Sequence, residues 1–268
     1  MSFLKSSIGK KVTMSLTGLF LISFLVIHLI GNLQLLKLDD GYAFNSYAKF
    51  MTSNPIIKTV SYLLYASILY HAIMGLILVF KNRSARKEKY AGGNKSRSPW
   101  TSRYMGVLGT IMLVFIVIHM KDFWAEYKFE EGFETKSYIT YSYGTDDLNV
   151  SIENSEDMEA MNKELYVKLE AIHGPGNANK AKNWNLITYK NLYNEVREAF
   201  YSPFYVILYV LSMLAIMFHL WHGFKSAFQS LGVNHPNING IISGAGKLFS
   251  VVIMLAFAFI PLYIYFTH

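Results

Sequence analysis

The 268-residue chain has no cysteine. That absence excludes disulfides, a C-x-x-C-H haem attachment and cysteine-held iron–sulfur clusters within the chain. Any haem would have to be held by histidine ligation and packing. Charge is missing by place rather than in total. Charged residues make up 16% of the chain, yet Val12–Leu36, Thr59–Phe80, Tyr104–Met120, Ala199–Phe224 and Leu248–Thr267 carry none. Each run is of the order of the ~17–25 residues that cross a ~30 Å hydrocarbon layer as a helix. Only helices and closed barrels satisfy their backbone in lipid, and these runs have helix length. A soluble all-α core would not carry five of them. No small-residue cleavage site follows the first run, so it is kept as a mature helix and not a signal segment. The fold class expected is an all-α integral membrane protein. Its five transmembrane helices are placed at about 12–36, 57–81, 103–122, 201–225 and 247–267, with a long external insert, 123–198, between helices three and four.

Acids are scarce outside one segment. Residues 121–202 hold fifteen of the eighteen Asp and Glu but only nine of the 25 Lys and Arg; elsewhere the only acids are Asp39, Asp40 and Glu88. The formal charge of +7 is therefore topological and does not point to nucleic acid. Lys5, Lys10 and Lys11 precede the first run, and Lys81, Arg83, Arg86, Lys87, Lys89, Lys95, Arg97 and Arg103 fill the second connection. The positive-inside rule puts both in the cytoplasm, with the N-terminus inside and the C-terminus outside. In the insert, Met158, Met161, Leu165 and Leu169 recur at helical spacing, as do Tyr189, Leu192, Tyr193, Val196 and Phe200. The second of these helices is expected to run straight into span four. His173-Gly174-Pro175-Gly176 reads as a turn between them. The insert shows no chemistry and is expected to cap the outer face. Pro261 is expected to kink span five, which neighbouring helices can accommodate.

Histidine is what the apolar runs do contain. His28, His71, His119, His219 and His222 place at least one in each of spans one to four and none in span five; His173, His235 and His268 lie elsewhere. An ionisable side chain in a bilayer is costly and marks function by default. Depth sorts them. At ~1.5 Å per residue, His28 lies about 26 Å from Lys11 and His119 about 24 Å from Arg103, both in the outer half. His71 lies about 15 Å from Lys81 and His219 about 9 Å from Lys225, both in the inner half. Two pairs on two levels suit two bis-imidazole haems stacked across a membrane. Zinc would want three or four donors converging on one point. A proton or ion pathway more often includes intramembrane Asp or Glu, which these runs lack. Gly18 and Gly109 each precede a histidine by ten residues, and Gly75 and Gly223 each follow one by four, offsets that would let a flat macrocycle approach. Ser67, four residues before His71, could orient that ring through its second nitrogen. Arg103, at the start of span three, and His222, near the inner boundary, are candidates for a haem propionate.

Several segments carry a resemblance to a known family. They are Ser7-Ile8-Gly9-Lys10-Lys11, Thr17-Gly18-Leu19-Phe20, His28-Leu29-Ile30-Gly31-Asn32-Leu33, Ala43-Phe44-Asn45-Ser46-Tyr47-Ala48 and Asn54-Pro55. The most specific is the run from His219 to Gly232, followed by Asn234-His235-Pro236. Together they resemble the di-haem cytochrome b membrane anchor of succinate:quinone oxidoreductases, the single-chain five-helix type of bacterial succinate dehydrogenases and fumarate reductases. The likeness covers both ends and all five spans, and fails over roughly residues 128–190. It implies two haem b groups, the outer ligated by His28 and His119 and the inner by His71 and His219. It also implies a flavoprotein and an iron–sulfur partner on the cytoplasmic face of a bacterial inner membrane, with electrons passing to a quinone, expected to be menaquinone. The succinate-oxidising site would be on a partner. Some fumarate-reducing members use a glutamate near the outer end of span two at a quinol site. Here the neighbourhood of Phe44 and Asn45 has none, Asp39 and Asp40 being the only acids near, so the quinone site is unassigned. Three alternatives stand beside this: a di-haem cytochrome of another quinone-linked oxidoreductase, which need not share Gln229-Ser230-Leu231-Gly232; a fumarate reductase running in reverse; and a transporter whose histidines pack or relay.

Overall fold

A computed structural model describes residues 6–84, 100–153 and 155–267. Lys5, the basic residues Arg86, Lys87, Lys89, Lys95 and Arg97 of the second connection, and His268 lie outside them. The chain divides into two compact units, one of residues 1–30, 55–120 and 200–268, the other of residues 31–54 and 121–199. Five helices are long and apolar enough to cross a membrane: Ser7–Leu36, Pro55–Ser84, Met105–Phe129, Pro203–Ser230 and Pro236–Phe266. The protein is a multi-pass membrane protein.

In chain order the helices are α1 (Ser7–Asn32), α2 (Tyr42–Ser53), α3 (Pro55–Ser84), the single turn α4 (Trp100–Arg103) and α5 (Met105–His119). They continue with α6 (Glu126–Phe129), α7 (Met158–His173), α8 (Leu192–Tyr201), α9 (Pro203–Ser230) and α10 (Pro236–Phe266). A 3-10 turn, Leu33–Leu36, extends α1, and a wider π-helical turn, Met120–Ala125, joins α5 to α6. Large apolar side chains face outward all along the spans, among them Leu16, Leu63, Leu69, Val114, Leu211 and Leu255. Such a surface is unsuited to water and costs nothing in lipid. Hydroxyls on α1 bond back to their own helix, Thr13 to the Gly9 carbonyl at 2.9 Å and Ser15 to the Lys11 carbonyl at 2.9 Å, which leaves neither group orphaned in lipid.

The helices overrun the uncharged stretches that announce them. α1 takes in Lys10 and Lys11, and α9 takes in Lys225. α10 takes in Lys247, whose ammonium lies 5.1 Å from the centre of the Trp221 ring. Long basic side chains allow this, because their apolar stems stay with the helix while the charge reaches outward. The helical stretch of span three runs on to Phe129 and so takes in Asp122 and Glu126, beyond the uncharged run that ends at Met120. Asp122 is buried and bonded to Lys121 at 2.9 Å. One correction concerns the entry to span four. The second insert helix does not run straight in: Ser202 is extended (φ −80, ψ 118) between α8 and α9. Pro203 is the cause, since the residue before a proline is pushed out of the helical region. α10 continues past Pro261, with Ile260, Pro261 and Ile264 buried.

The second unit is not all helical, which the sequence pattern does not announce. β1 (Thr135–Tyr143), β2 (Asp146–Ile152) and β3 (Lys182–Lys190) form an antiparallel sheet in the order β2-β1-β3. Tyr189, expected on a helix, is in β3 and pairs with Lys136. β1 and β2 join through Gly144 and Thr145, with Gly144 at φ 65, a conformation suited to a tight hairpin. Against one face packs α7, whose Met161, Leu165 and Leu169 close on Ile139, Tyr141, Val150 and Ile152. The carboxylate of Asp157 caps α7 by accepting from the amides of Glu159 and Ala160. On the neighbouring residue of β1, Tyr138 is fully buried; its hydroxyl donates to the Asp40 carbonyl at 3.1 Å and accepts from Asn45 of α2 at 3.0 Å. Asn45 also donates to the Asn191 side chain at 3.2 Å and accepts from the Tyr193 amide at 2.9 Å. One buried amide thus ties the first connection to the insert. Gly31 belongs to the same unit, and a Cβ there would stand 2.5 Å from the Tyr47 ring, so two segments of the family resemblance meet at a glycine.

Candidate site: two facing histidine pairs

The four intramembrane histidines predicted as ligands stand as two facing pairs in the membrane unit. His28 of α1 faces His119 of α5, ring centroids 5.7 Å apart and planes at 85°. His71 of α3 faces His219 of α9, centroids 6.4 Å apart and planes at 61°. Antiparallel helices and ~1.5 Å per residue produce this sorting, as the depth arithmetic expects.

Each pair is held by groups from other helices. Nδ1 of His71 meets the Thr17 hydroxyl of α1 at 3.2 Å, and that hydroxyl lies 2.9 Å from the Thr13 carbonyl, to which it donates. The hydroxyl at His71 is therefore that of Thr17 and not that of Ser67, which comes from α3 itself. Nδ1 of His119 meets the Tyr209 hydroxyl of α9 at 3.2 Å. Phe24 stacks on His28 at 5.1 Å and Phe115 on His119 at 5.7 Å, each phenylalanine four residues before its histidine. Phe257 of α10 stands 5.6 Å from His28, so the fifth helix also lines a site expected from four. Thr17, Tyr209 and Phe257 escape a reading of the sequence because their partners are on other helices. The repeated Phe-x-x-x-His was visible in the chain.

The glycines act across the bundle. A Cβ on Gly18 would stand 3.2 Å from Cε1 of His71, and one on Gly109 would stand 3.6 Å from Cε1 of His219. The ten-residue offset thus puts both glycines at the level of the His71–His219 pair. Gly75 faces Met14, and Gly223 faces open space. His222 points elsewhere than His219: its Nε2 is 3.0 Å from the Ser226 hydroxyl on its own helix. Arg103 ends α4 and is exposed.

Do these residues fit a haem? At metal–imidazole bonds of about 2.0–2.1 Å, two rings on opposite sides of one metal have centres roughly 6 Å apart. The pairs stand at 5.7 and 6.4 Å. Nδ1 of His219 is buried with no hydrogen-bond partner among the described residues, so no protein group orients that ring through it. Gly18 and Gly109 present bare backbone to the rings of His71 and His219. Donors and spacing agree with a histidine-ligated macrocycle at each level, and the glycine cradle with one at the His71–His219 pair. Among the described residues no three histidine, aspartate or glutamate side chains gather as a metal site. Comparison of the chain with family models, with curated proteins and with solved structures finds no match.

Proposed function

We propose that this chain is the di-haem cytochrome b membrane anchor of a succinate:quinone oxidoreductase, passing electrons from an iron–sulfur partner to a membrane quinone, menaquinone by expectation. The observation that carries the reading is the standing of four intramembrane histidines as two facing pairs, together with the family resemblance of the segments around them. His28 and His119 hold the outer haem, and His71 and His219 the inner. When bound, haem supplies one-electron transfer at its iron. The chain's own residues ligate, orient and exclude water. Thr17 and Tyr209 fix the rings of His71 and His119 through Nδ1, while Phe24, Phe115 and Phe257 pack against the rings of the outer pair. A chain without cysteine leaves the clusters to its partner.

In this reading the N-terminus lies inside a bacterial cytoplasmic membrane. The flavoprotein and iron–sulfur subunits dock on a basic cytoplasmic face made of the N-terminal segment, residues 81–103 and residues 225–247, where positive charge would steer association. Purification of the full chain from its native membrane tests the proposal. It should bring a flavin-containing chain, a cluster-containing chain and two b-type haems. Haems without a flavin-containing chain would make it a cytochrome of another quinone-linked oxidoreductase. No haem at all would overturn the reading.

A further inference from the structure

The two histidine pairs differ in what meets Nδ1 of their rings. At the inner pair, His71 has an aliphatic hydroxyl, Thr17, and Nδ1 of His219 has no partner among the described residues. At the outer pair, Nδ1 of His119 has a phenol, Tyr209, at 3.2 Å. Tyr209 is buried, with 6% of its surface exposed. Its ring is fixed on three sides: Phe115 and Phe200 each meet it edge-on at 4.9 Å, and Tyr205 lies parallel at 6.3 Å. A phenol caged in this way has little freedom to leave its partner. It also sits ten residues before His219, so α9 carries a ligand for the inner level and, about 15 Å away along the same helix, a hydroxyl for the outer.

We infer that Tyr209 is the positioning residue of the outer pair, holding the His119 ring through Nδ1 and setting the potential of the outer haem apart from that of the inner. The inference rests on the haem reading above. Iron at one imidazole nitrogen leaves the proton on the other, and that N–H donates to the phenol oxygen. The group that receives it fixes the tautomer and ring orientation and raises ligand basicity. A more basic ligand favours the oxidised iron, so losing the acceptor raises the midpoint potential. Thr17 does this at the inner pair with a different group, and its own hydroxyl is engaged with helix carbonyls.

The test is an equilibrium redox titration of the purified full chain, followed by its visible bands, for wild type, Tyr209→Phe and Thr17→Val. Tyr209→Phe should keep two haems, raise the midpoint of one and leave the other in place; Thr17→Val should move the other haem instead. If Tyr209→Phe leaves both midpoints unchanged, or moves both equally, the inference is overturned. Should Tyr209→Phe lose a haem, Tyr209→Gln, which offers a carbonyl acceptor, should restore it; failure to restore it also counts against the hydrogen bond. A wild-type chain with no haem bands removes the haem reading itself, an outcome distinct from haems whose potentials ignore Tyr209.

Discussion

His219 and His222 are three residues apart on α9, one turn of helix, yet their rings have different partners. His219 faces His71, while His222 bonds to Ser226. Replacing His219 by alanine should therefore remove the inner haem and leave the outer, halving haem per chain in a pyridine haemochrome assay. His222→Ala should keep both. The reverse result would transfer the ligand role to His222. Asn45 makes a prediction of another kind, because it bonds to residues 93, 146 and 148 positions away. An Asn45→Leu change strands the Tyr193 amide and leaves the Tyr138 hydroxyl only its bond to the Asp40 carbonyl, and a buried group left unpaired costs about 1–3 kcal/mol. Faster amide exchange in β1 with exchange in α9 unaltered is the expected signature; unchanged β1 protection would count against it. The histidine levels were legible from the sequence, since depth along a helix is arithmetic. The hydroxyls of Thr17 and Tyr209 were not, since nothing local says which helix will face which.

Among the elements, the five spans announce themselves and the three strands do not, for a reason visible in their burial. A half-buried strand advertises itself by alternation. β1 lies between two packed faces, so the consecutive residues Tyr138 and Ile139 are both fully buried, and alternation is erased. β3 is exposed along most of its length and alternates no better. Helix ends are not marked by the uncharged runs for a related reason: charge stops an apolar run without stopping a helix, as Lys10, Lys225 and Asp122 show. The turn before α2 meets β1 through Asp40 and Lys136, 2.7 Å apart. Burial pushes the Asp40 carboxyl up, but the hydrogen bond and charge of Lys136 outweigh it and hold the group below its usual range. A lowered carboxyl stabilises the fold above its unfolded value of about 3.9, and that contribution fades as pH falls through the folded value. Protection of β1 amides should thus weaken on acidification below about pH 4. In Asp40→Asn this acid-sensitive component should be gone and protection at neutral pH lower. Protection that rises on acidification would contradict the pairing.

For the whole molecule, the orientation rests on the distribution of basic residues. A reporter fused after Phe80 should read cytoplasmic and one placed within residues 140–180 external. An external reading after Phe80 would exchange the inner and outer levels while leaving the pairs intact. The pairs themselves are the centre of the account, and haem per chain tests them most directly. The purified wild-type chain should show b-type bands in a reduced-minus-oxidised spectrum, with two haems per chain, one after His28→Ala or His71→Ala, and none after both. A folded wild-type chain with no such bands, or one whose haem content is unmoved by either substitution, would contradict it.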